Sequence, residues 1–259
     1  MRHTPPYPTS HGLLDGKVVA VTAAAGAGIG LATARRCAEE GATVVISDLH
    51  ERRLSEAADG IEHDVGRRPL AVLCDVTVQA DVERLVDAAV AEHGRLDVMV
   101  NNAGLGGTSR LIDMTDEQWF SVLDVTLNGC FRGTRAALRH MVERESGVII
   151  NNASILGWRA QAGQAHYAAA KAGVMALTRC AAMEAAAQNV RVNAVSPSLA
   201  MHPFLERVMD EGTLAELGAR EAFGRAAEPW EVANVIVFLA SDYSSYMTGE
   251  VVSVSCQHP

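Results

Sequence analysis

Apolar, β-branched runs recur along the chain at short intervals: VVAV at 18–21, TVVIS at 43–47, LAVLC at 70–74, LDVMV at 96–100, VII at 148–150, VRVNAV at 190–195 and VVSVS at 251–255. Between them the period changes. After the third run, Val82, Leu85, Val86, Ala89 and Val90 fall at i, i+3, i+4, i+7 and i+8, the spacing of one helical face. Runs apolar on both strand faces, alternating with amphipathic helices, predict a parallel sheet covered on each side. The expected fold is α/β, a doubly wound seven-stranded parallel sheet in a single domain over residues 14–259. The stretch 198–228 holds helical pieces but no strand pattern. Because ligands in open α/β sheets bind beyond the carboxyl ends of the strands, this excursion after the sixth run is the natural substrate lid.

Composition narrows the function. The chain's 259 residues, 49% hydrophobic and 20% charged, suffice for one continuous sheet core. A formal charge of −9, with no Lys/Arg run, excludes the basic footprint of a nucleic-acid binder. Residues 1–13 begin MRHTPPYPTSHG, with three prolines and no apolar core, and read as a flexible N-terminal arm, not a secretory signal. No apolar segment approaches the roughly 18 residues of a membrane helix. The expectation is a soluble, cytoplasmic protein with no membrane partner. Cys37, Cys74, Cys130, Cys180 and Cys256 are scattered singly and read as reduced, packed thiols. The histidines form no zinc pattern, so no metal is expected.

Chemistry is concentrated at the strand ends. VTAAAGAGIG, from Val21 to Gly30, joins the first strand to a helix, and its glycines would let a backbone approach a pyrophosphate while the helix N-terminus near Ile29 offers amide donors. Asp48 ends the second strand eighteen positions after Gly30, near the roughly 20-residue spacing at which a carboxylate reaches an adenosine ribose. An aspartate there accepts the 2′-hydroxyl and repels a 2′-phosphate, which favours NAD over NADP. Asp75 follows the third strand in CDVT, and NNAG, Asn101 to Gly104, ends the fourth. Tyr167 and Lys171 are four apart in an alanine-rich helical stretch, hence on one face. A lysine cation one turn away favours the phenolate of a tyrosine whose ordinary pKa is about 10, easing proton exchange. Ser154 ends the fifth strand thirteen residues before Tyr167.

Thr22 with the glycine loop, CDVT, LDVMVNNAG, and a serine ahead of YAAAK together resemble the short-chain dehydrogenase/reductase family, over nearly the whole chain from about Leu14 to about Val254. The resemblance implies a Rossmann fold, a homotetramer, and an oxidoreductase that interconverts a secondary alcohol and a ketone on a small-molecule substrate. It implies that Ser154 holds the substrate oxygen, that Tyr167 exchanges the proton, and that Lys171 binds the nicotinamide ribose and tunes Tyr167. It assigns Thr22, Gly26, Gly28, Ile29, Gly30, Asp48, Asp75, Val76, Asn102, Ala103, Gly104, Tyr167, Lys171, Pro197 and His202 to the cofactor. Departures from the family pattern stand at Ala23, in place of the first loop glycine with one extra residue before Gly28, at Thr126, in place of a fourth catalytic asparagine, at Ser198 and His202 after Pro197, and in the ending VSCQHP. The resemblance implies that the helix is disrupted near Thr126, with a water between its main-chain carbonyl and Lys171; a threonine hydroxyl can also bond back to a carbonyl one turn earlier and bend a helix.

Within the family, NNASILGWRAQAGQAHYAAAKAG, EAFGRAAEPWEVA and SVSCQHP are most similar to bacterial reductases of steroid-ring catabolism, which act on CoA thioesters of the residual bicyclic fragment. Trp158 and Arg159 follow Ser154 and are candidates for contact with a ring and an acidic group, the alternative being a core or interface tryptophan and a solvated arginine. Two other readings stay open. A 3-oxoacyl-carrier-protein reductase would want a basic patch and an NADP-type second strand; a catalytically silent dinucleotide-binding regulator would explain Ala23, Thr126 and His202.

Overall fold

Burial along the first strand alternates between two cores. Val19 and Val21 pack into one apolar cluster, Val18 and Ala20 into a second on the opposite face, so no side chain of β1 (Val18–Val21) meets solvent. This two-sided burial puts β1 inside the sheet. In a computed structural model describing residues 4–201 and 211–256, seven parallel strands run in the order β3-β2-β1-β4-β5-β6-β7. The others are β2 (Thr43–Asp48), β3 (Leu70–Leu73), β4 (Val98–Asn101), β5 (Gly147–Asn152), β6 (Val190–Pro197) and β7 (Val251–Val254). Val19 pairs with Val44 of β2 on one side and Val98 of β4 on the other.

One face is covered by α1 (Ile29–Glu39), α2 (Glu51–Val65) and α8 (Pro229–Ala240), through residues such as Ala34, Ile61 and Ile236. The other is covered by α3 (Gln79–His93), α5 (Gly129–Glu143) and α6 (Ala165–Ala185), through Leu85, Met141 and Ala182. The predicted face of α3 is the one that packs, with Val82, Leu85, Val86 and Ala89 buried. Helices α2 and α3 stop at Gly66 and Gly94, both in the left-handed conformation that glycine adopts without steric cost. The chain order reverses between β1 and β4, which opens a crevice at their carboxyl ends.

Several sequence expectations shift. Along 116–140 the chain forms α4 (Asp116–Leu123), a π-helical turn (Asp124–Asn128) and α5, because the Gly129 amide reaches back five residues to the Asp124 carbonyl. A capping box between Thr115 and Gln118 starts α4. Between 198 and 228 the described residues include α7 (Glu211–Arg220) and a single parallel bridge, Ala200 to Ala227; residues 202–210 of the expected lid lie outside the described residues. Of the thiols read as packed, Cys37, Cys74 and Cys130 are buried, and burial pushes each up to about 12, but Cys180 is exposed and Cys256 half-buried. All five are free. Within the N-terminal arm, Tyr7 donates to Glu39 at 2.9 Å and packs edge-on to Trp230, while the His11 and Leu13 amides donate to the buried Glu40. No helix among the described residues is long and apolar enough to cross a membrane.

Candidate active site

At the reversal point, side chains tie the ends of β1 and β4 together. Thr22, buried at the end of β1, accepts the Asn102 amide at 2.9 Å and the Ala103 amide at 3.1 Å through Oγ1. Asn102 answers with its Nδ2, donating to the Thr22 carbonyl at 3.1 Å and the Ala23 carbonyl at 3.2 Å. Ala23 takes a left-handed backbone with φ of 52°, the conformation for which the family's glycine is suited; the first turn is kept, with the strain carried by an alanine. Gly30 lies beneath it. A Cβ there would fall 2.2 Å from the Ala23 oxygen and 2.4 Å from Asn102 Nδ2, whereas a Cβ on Gly26 would meet nothing within 4 Å. The inner glycine is thus required by packing, and the outer one leaves backbone open for a ligand.

The remaining loop and strand-end residues surround this cradle. Gly28 is the N-cap of α1 and Ile29 its first residue, so the helix points its positive end at the loop. Asp48, largely buried, accepts the Ala25 amide at 3.3 Å and the His50 amide at 3.0 Å, with Arg53 at 4.0 Å. Burial pushes its carboxyl above the ordinary value, outweighing the Ala25 amide and Arg53. Asp75 accepts the Thr77 amide at 2.9 Å, and Val76 packs where a Cβ on Gly129 would lie, 2.9 Å from its Cγ2. Pro197 is buried at the end of β6 in register with Val254. His202 lies outside the described residues. These positions could hold a dinucleotide: the open Gly26 backbone, the helix end and a carboxylate at the second strand suit pyrophosphate and ribose.

A second group converges beyond β4 and β5. Lys171 is buried on α6 and donates through Nζ to the Asn152 carbonyl at 2.5 Å; the same Nζ lies 5.6 Å from the centre of the Tyr167 ring. A Cβ on Gly104 would stand 3.5 Å from Lys171 Nζ and 3.8 Å from Thr126 Oγ1, which places the NNAG loop, the lysine and the π-helical turn around one point. Ser154, extended at the end of β5, caps the short turn Ile155–Gly157 by accepting the Leu156 amide at 3.2 Å. A Cβ on Gly157 would be 2.6 Å from Met175 Cε and 3.1 Å from the Ala172 nitrogen, so glycine alone lets this turn lie on α6.

The helix is disrupted at Thr126 as expected, in the π-helical turn Asp124–Asn128. The hydroxyl does not bond back along that helix. It crosses to Leu105, accepting the amide at 3.0 Å and donating to the carbonyl at 3.2 Å, because the π-helical turn aims the side chain at the NNAG loop. Leu127, next in the turn, packs on Gly173 of α6. Trp158 is 42% exposed, which excludes a place in the core of the chain, and Arg159 is half-buried with its amide on the Ile155 carbonyl. Sequence reasoning missed Leu105, His166 and Asn152. His166 is buried at the start of α6 and its Nδ1 accepts the Tyr167 amide at 2.9 Å, meeting a first-turn donor that the N-cap Gln164 leaves free. Its position directly before Tyr167 was the available signal.

A family model described as enoyl-(acyl carrier protein) reductase matches residues 23–256. The chain belongs to the short-chain dehydrogenase/reductase family. This family member is an oxidoreductase acting on an alcohol and ketone pair, and the family binds a nicotinamide dinucleotide. It is 65% identical over 250 residues to a (5R,7aS)-5-hydroxy-7a-methyl-1-oxo-2,3,5,6,7,7a-hexahydro-1H-indene-carboxyl-CoA reductase of Mycobacterium tuberculosis, covering 96% of this chain and 95% of the relative. A 3-oxoacyl-[acyl-carrier-protein] reductase of Thermotoga maritima is 40% identical, over 93% of this chain and 97% of its own. Among solved structures, a short chain dehydrogenase from Mycobacterium smegmatis superposes with a TM-score of 0.88 at 59% identity, covering 100% of this chain and 99% of that one.

Proposed function

We propose that this short-chain dehydrogenase/reductase uses NAD to interconvert a ring secondary alcohol and its ketone on a CoA thioester. The observation that carries the reading is the convergence of Lys171 Nζ and Thr126 Oγ1 on Gly104, with Tyr167 one helical turn from the lysine, next to the glycine cradle. When bound, the nicotinamide supplies or takes up the hydride. Ser154 Oγ holds the substrate oxygen by a hydrogen bond, and Tyr167 passes the proton to or from that oxygen. Lys171, with its Nζ 5.6 Å from the centre of the Tyr167 ring, would hold the nicotinamide ribose. Thr126 fixes Leu105 and so shapes the wall opposite the lysine.

NAD is favoured because Asp48 stands at the end of β2 and no Arg or Lys lies between Thr22 and Gly30. The ring thioester is favoured by the 65% identity to a reductase named for a bicyclic carboxyl-CoA, against 40% to the carrier-protein reductase. The exposed Trp158 and half-buried Arg159, on the segment that leaves Ser154, suit a ring and an acidic group. A net charge of −9 is unsuited to an acidic carrier protein. The exposed apolar Phe120, Phe131 and Met183 on α4, α5 and α6 suit helix pairing between subunits, and we assign a cytoplasmic homotetramer with a substrate lid at about 198–228. The test is turnover with NADH or NADPH against bicyclic oxo-acyl-CoA thioesters, linear 3-oxoacyl thioesters and hydroxysteroids, followed by nicotinamide absorbance. Strong NADH turnover of the bicyclic thioester is the expected result. A clear preference for linear carrier-bound thioesters with NADPH would overturn it, and an enzyme inert to the whole panel would return the silent-regulator reading.

A further inference from the structure

Asn152 ends β5 and is picked out by neither the glycine loop nor the Ser-Tyr-Lys pattern. Its neighbour Asn151 turns toward α5 and α6, donating to Thr178 and accepting from Asn101, each at 2.9 Å. Strand alternation therefore sends Asn152 to the opposite face, that of the glycine loop. There its Nδ2 donates to Asn102 Oδ1 at 2.9 Å. The direction of this bond is forced. Asn102 spends its Nδ2 on two main-chain carbonyls, Thr22 and Ala23, which only accept, so it must offer its oxygen to Asn152. Asn152 must reply with its nitrogen, and its own Oδ1 is left buried without a partner. Unpaired buried acceptors are few in native proteins. Beside it, the main-chain carbonyl of the same residue anchors Lys171 Nζ.

We propose that Asn152 is a cofactor-binding residue whose Oδ1 accepts a hydroxyl of the nicotinamide-side ribose. This rests on the dinucleotide reading of the site. A free acceptor calls for a donor, and a phosphate has none to give. The adenosine half is excluded by distance: Asp48 ends β2, and β2 is separated from β5 by β1 and β4, three strand spacings of about 4.8 Å each. The ribose on the far half carries hydroxyl donors and is the group to which Lys171, held by this same residue, is assigned. Asn152 thus joins two ends of the site, the glycine loop through Asn102 and the lysine through its carbonyl.

The test is equilibrium binding of ADP, ADP-ribose and NAD by calorimetry, without substrate, to the wild type, Asn152→Val and Asn152→Asp. ADP lacks the second ribose, and ADP-ribose lacks the nicotinamide. Asn152→Val should bind ADP within about twofold of wild type and ADP-ribose about three- to tenfold more weakly, the loss of one hydrogen bond. Asn152→Asp keeps an acceptor and loses the donor to Asn102, so its preference for ADP-ribose over ADP should survive. Equal weakening of ADP and ADP-ribose by both variants would mean that the residue acts only through Asn102, and unchanged ADP-ribose with weakened NAD would assign the acceptor to the carboxamide; either result overturns the proposal. A wild type that binds none of the three would overturn the dinucleotide reading, and this proposal with it.

Discussion

Replacing Thr126 with valine isolates what its hydroxyl does. Valine keeps the size and β-branching at a site only 1% exposed, so packing against the loop is retained. Lost are the bond from the Leu105 amide at 3.0 Å and the bond to the Leu105 carbonyl at 3.2 Å. Each contributes about 0.5–1.5 kcal/mol net. Leu105 is 37% exposed, so water can reach the edge of this segment and meet part of the deficit. A loss of about 2 kcal/mol follows from two such bonds with partial rescue. For a chain of this size that corresponds to a fall in Tm of about 4–8 °C. Because Gly104 lies between Thr126 and Lys171, loosening the loop should also lower kcat. Thr126→Ser keeps the hydroxyl and should lose less than half as much. Calorimetry and steady-state kinetics on both variants decide it: a valine variant with wild-type Tm and kcat, or a serine variant as damaged as valine, would refute the two-way clamp.

Other consequences can be checked alongside. Gly30→Ala should cost about 1–3 kcal/mol by overpacking and weaken dinucleotide binding, whereas Gly26→Ala, with open space at its Cβ, should leave Tm unchanged and weaken binding alone; calorimetric Tm and affinity values that fail to separate the two glycines would contradict the cradle. Burial raises the Asp48 carboxyl, so NAD affinity should fall on acidification with a midpoint above the ordinary aspartate value of about 3.9, a dependence that Asp48→Asn should abolish in a binding titration. For folding the sign is opposite, since a raised folded pKa stabilises below the unfolded pKa and the benefit is lost as pH rises through the folded one. Arg159→Ala should raise the Michaelis constant for an acidic thioester by about tenfold or more, a charge-assisted contact of about 1.5–3 kcal/mol, and spare a neutral ketone; equal effects on both substrates would assign Arg159 to structure. Thr126→Asn should change the rate by less than about tenfold, roughly 1.4 kcal/mol, and an asparagine variant that activates an inert protein would favour the silent regulator.

The continuous apolar runs and the period of 3.6 between them carried the sheet and its two layers, because β1 and β4 are buried on both faces, leaving runs such as VVAV with no polar interruption. Strand ends were less legible. The run called at 190–195 continues to Pro197, and VII extends to Gly147–Asn152, since polar strand-end residues pair as well as apolar ones. The glycine loop, Asp48 and the spacing of Tyr167 and Lys171 are local signals and were visible. Thr126 illustrates the limit: its partner Leu105 is 21 residues away, and only the π-helical turn brings them together. Asn152 was hidden in the doublet of VIINNAS, where strand alternation sends two identical residues to opposite faces and gives only one an unsatisfied oxygen. Cys180 occupied an apolar segment yet faces out, because its helix is rich in alanine all round and carries little periodic contrast.

Tyr167 is proposed to pass the proton through its hydroxyl, with the dinucleotide's affinity resting mainly on the other cofactor residues. The most direct measurement pairs NADH affinity with the rate of NADH oxidation in Tyr167→Phe, using the bicyclic thioester as substrate. Losing only the phenolic oxygen should leave the dissociation constant within about twofold and reduce the rate at least about a thousandfold, in the range general acid catalysis contributes. A phenylalanine variant that keeps most of its rate would place the proton transfer elsewhere and contradict this account.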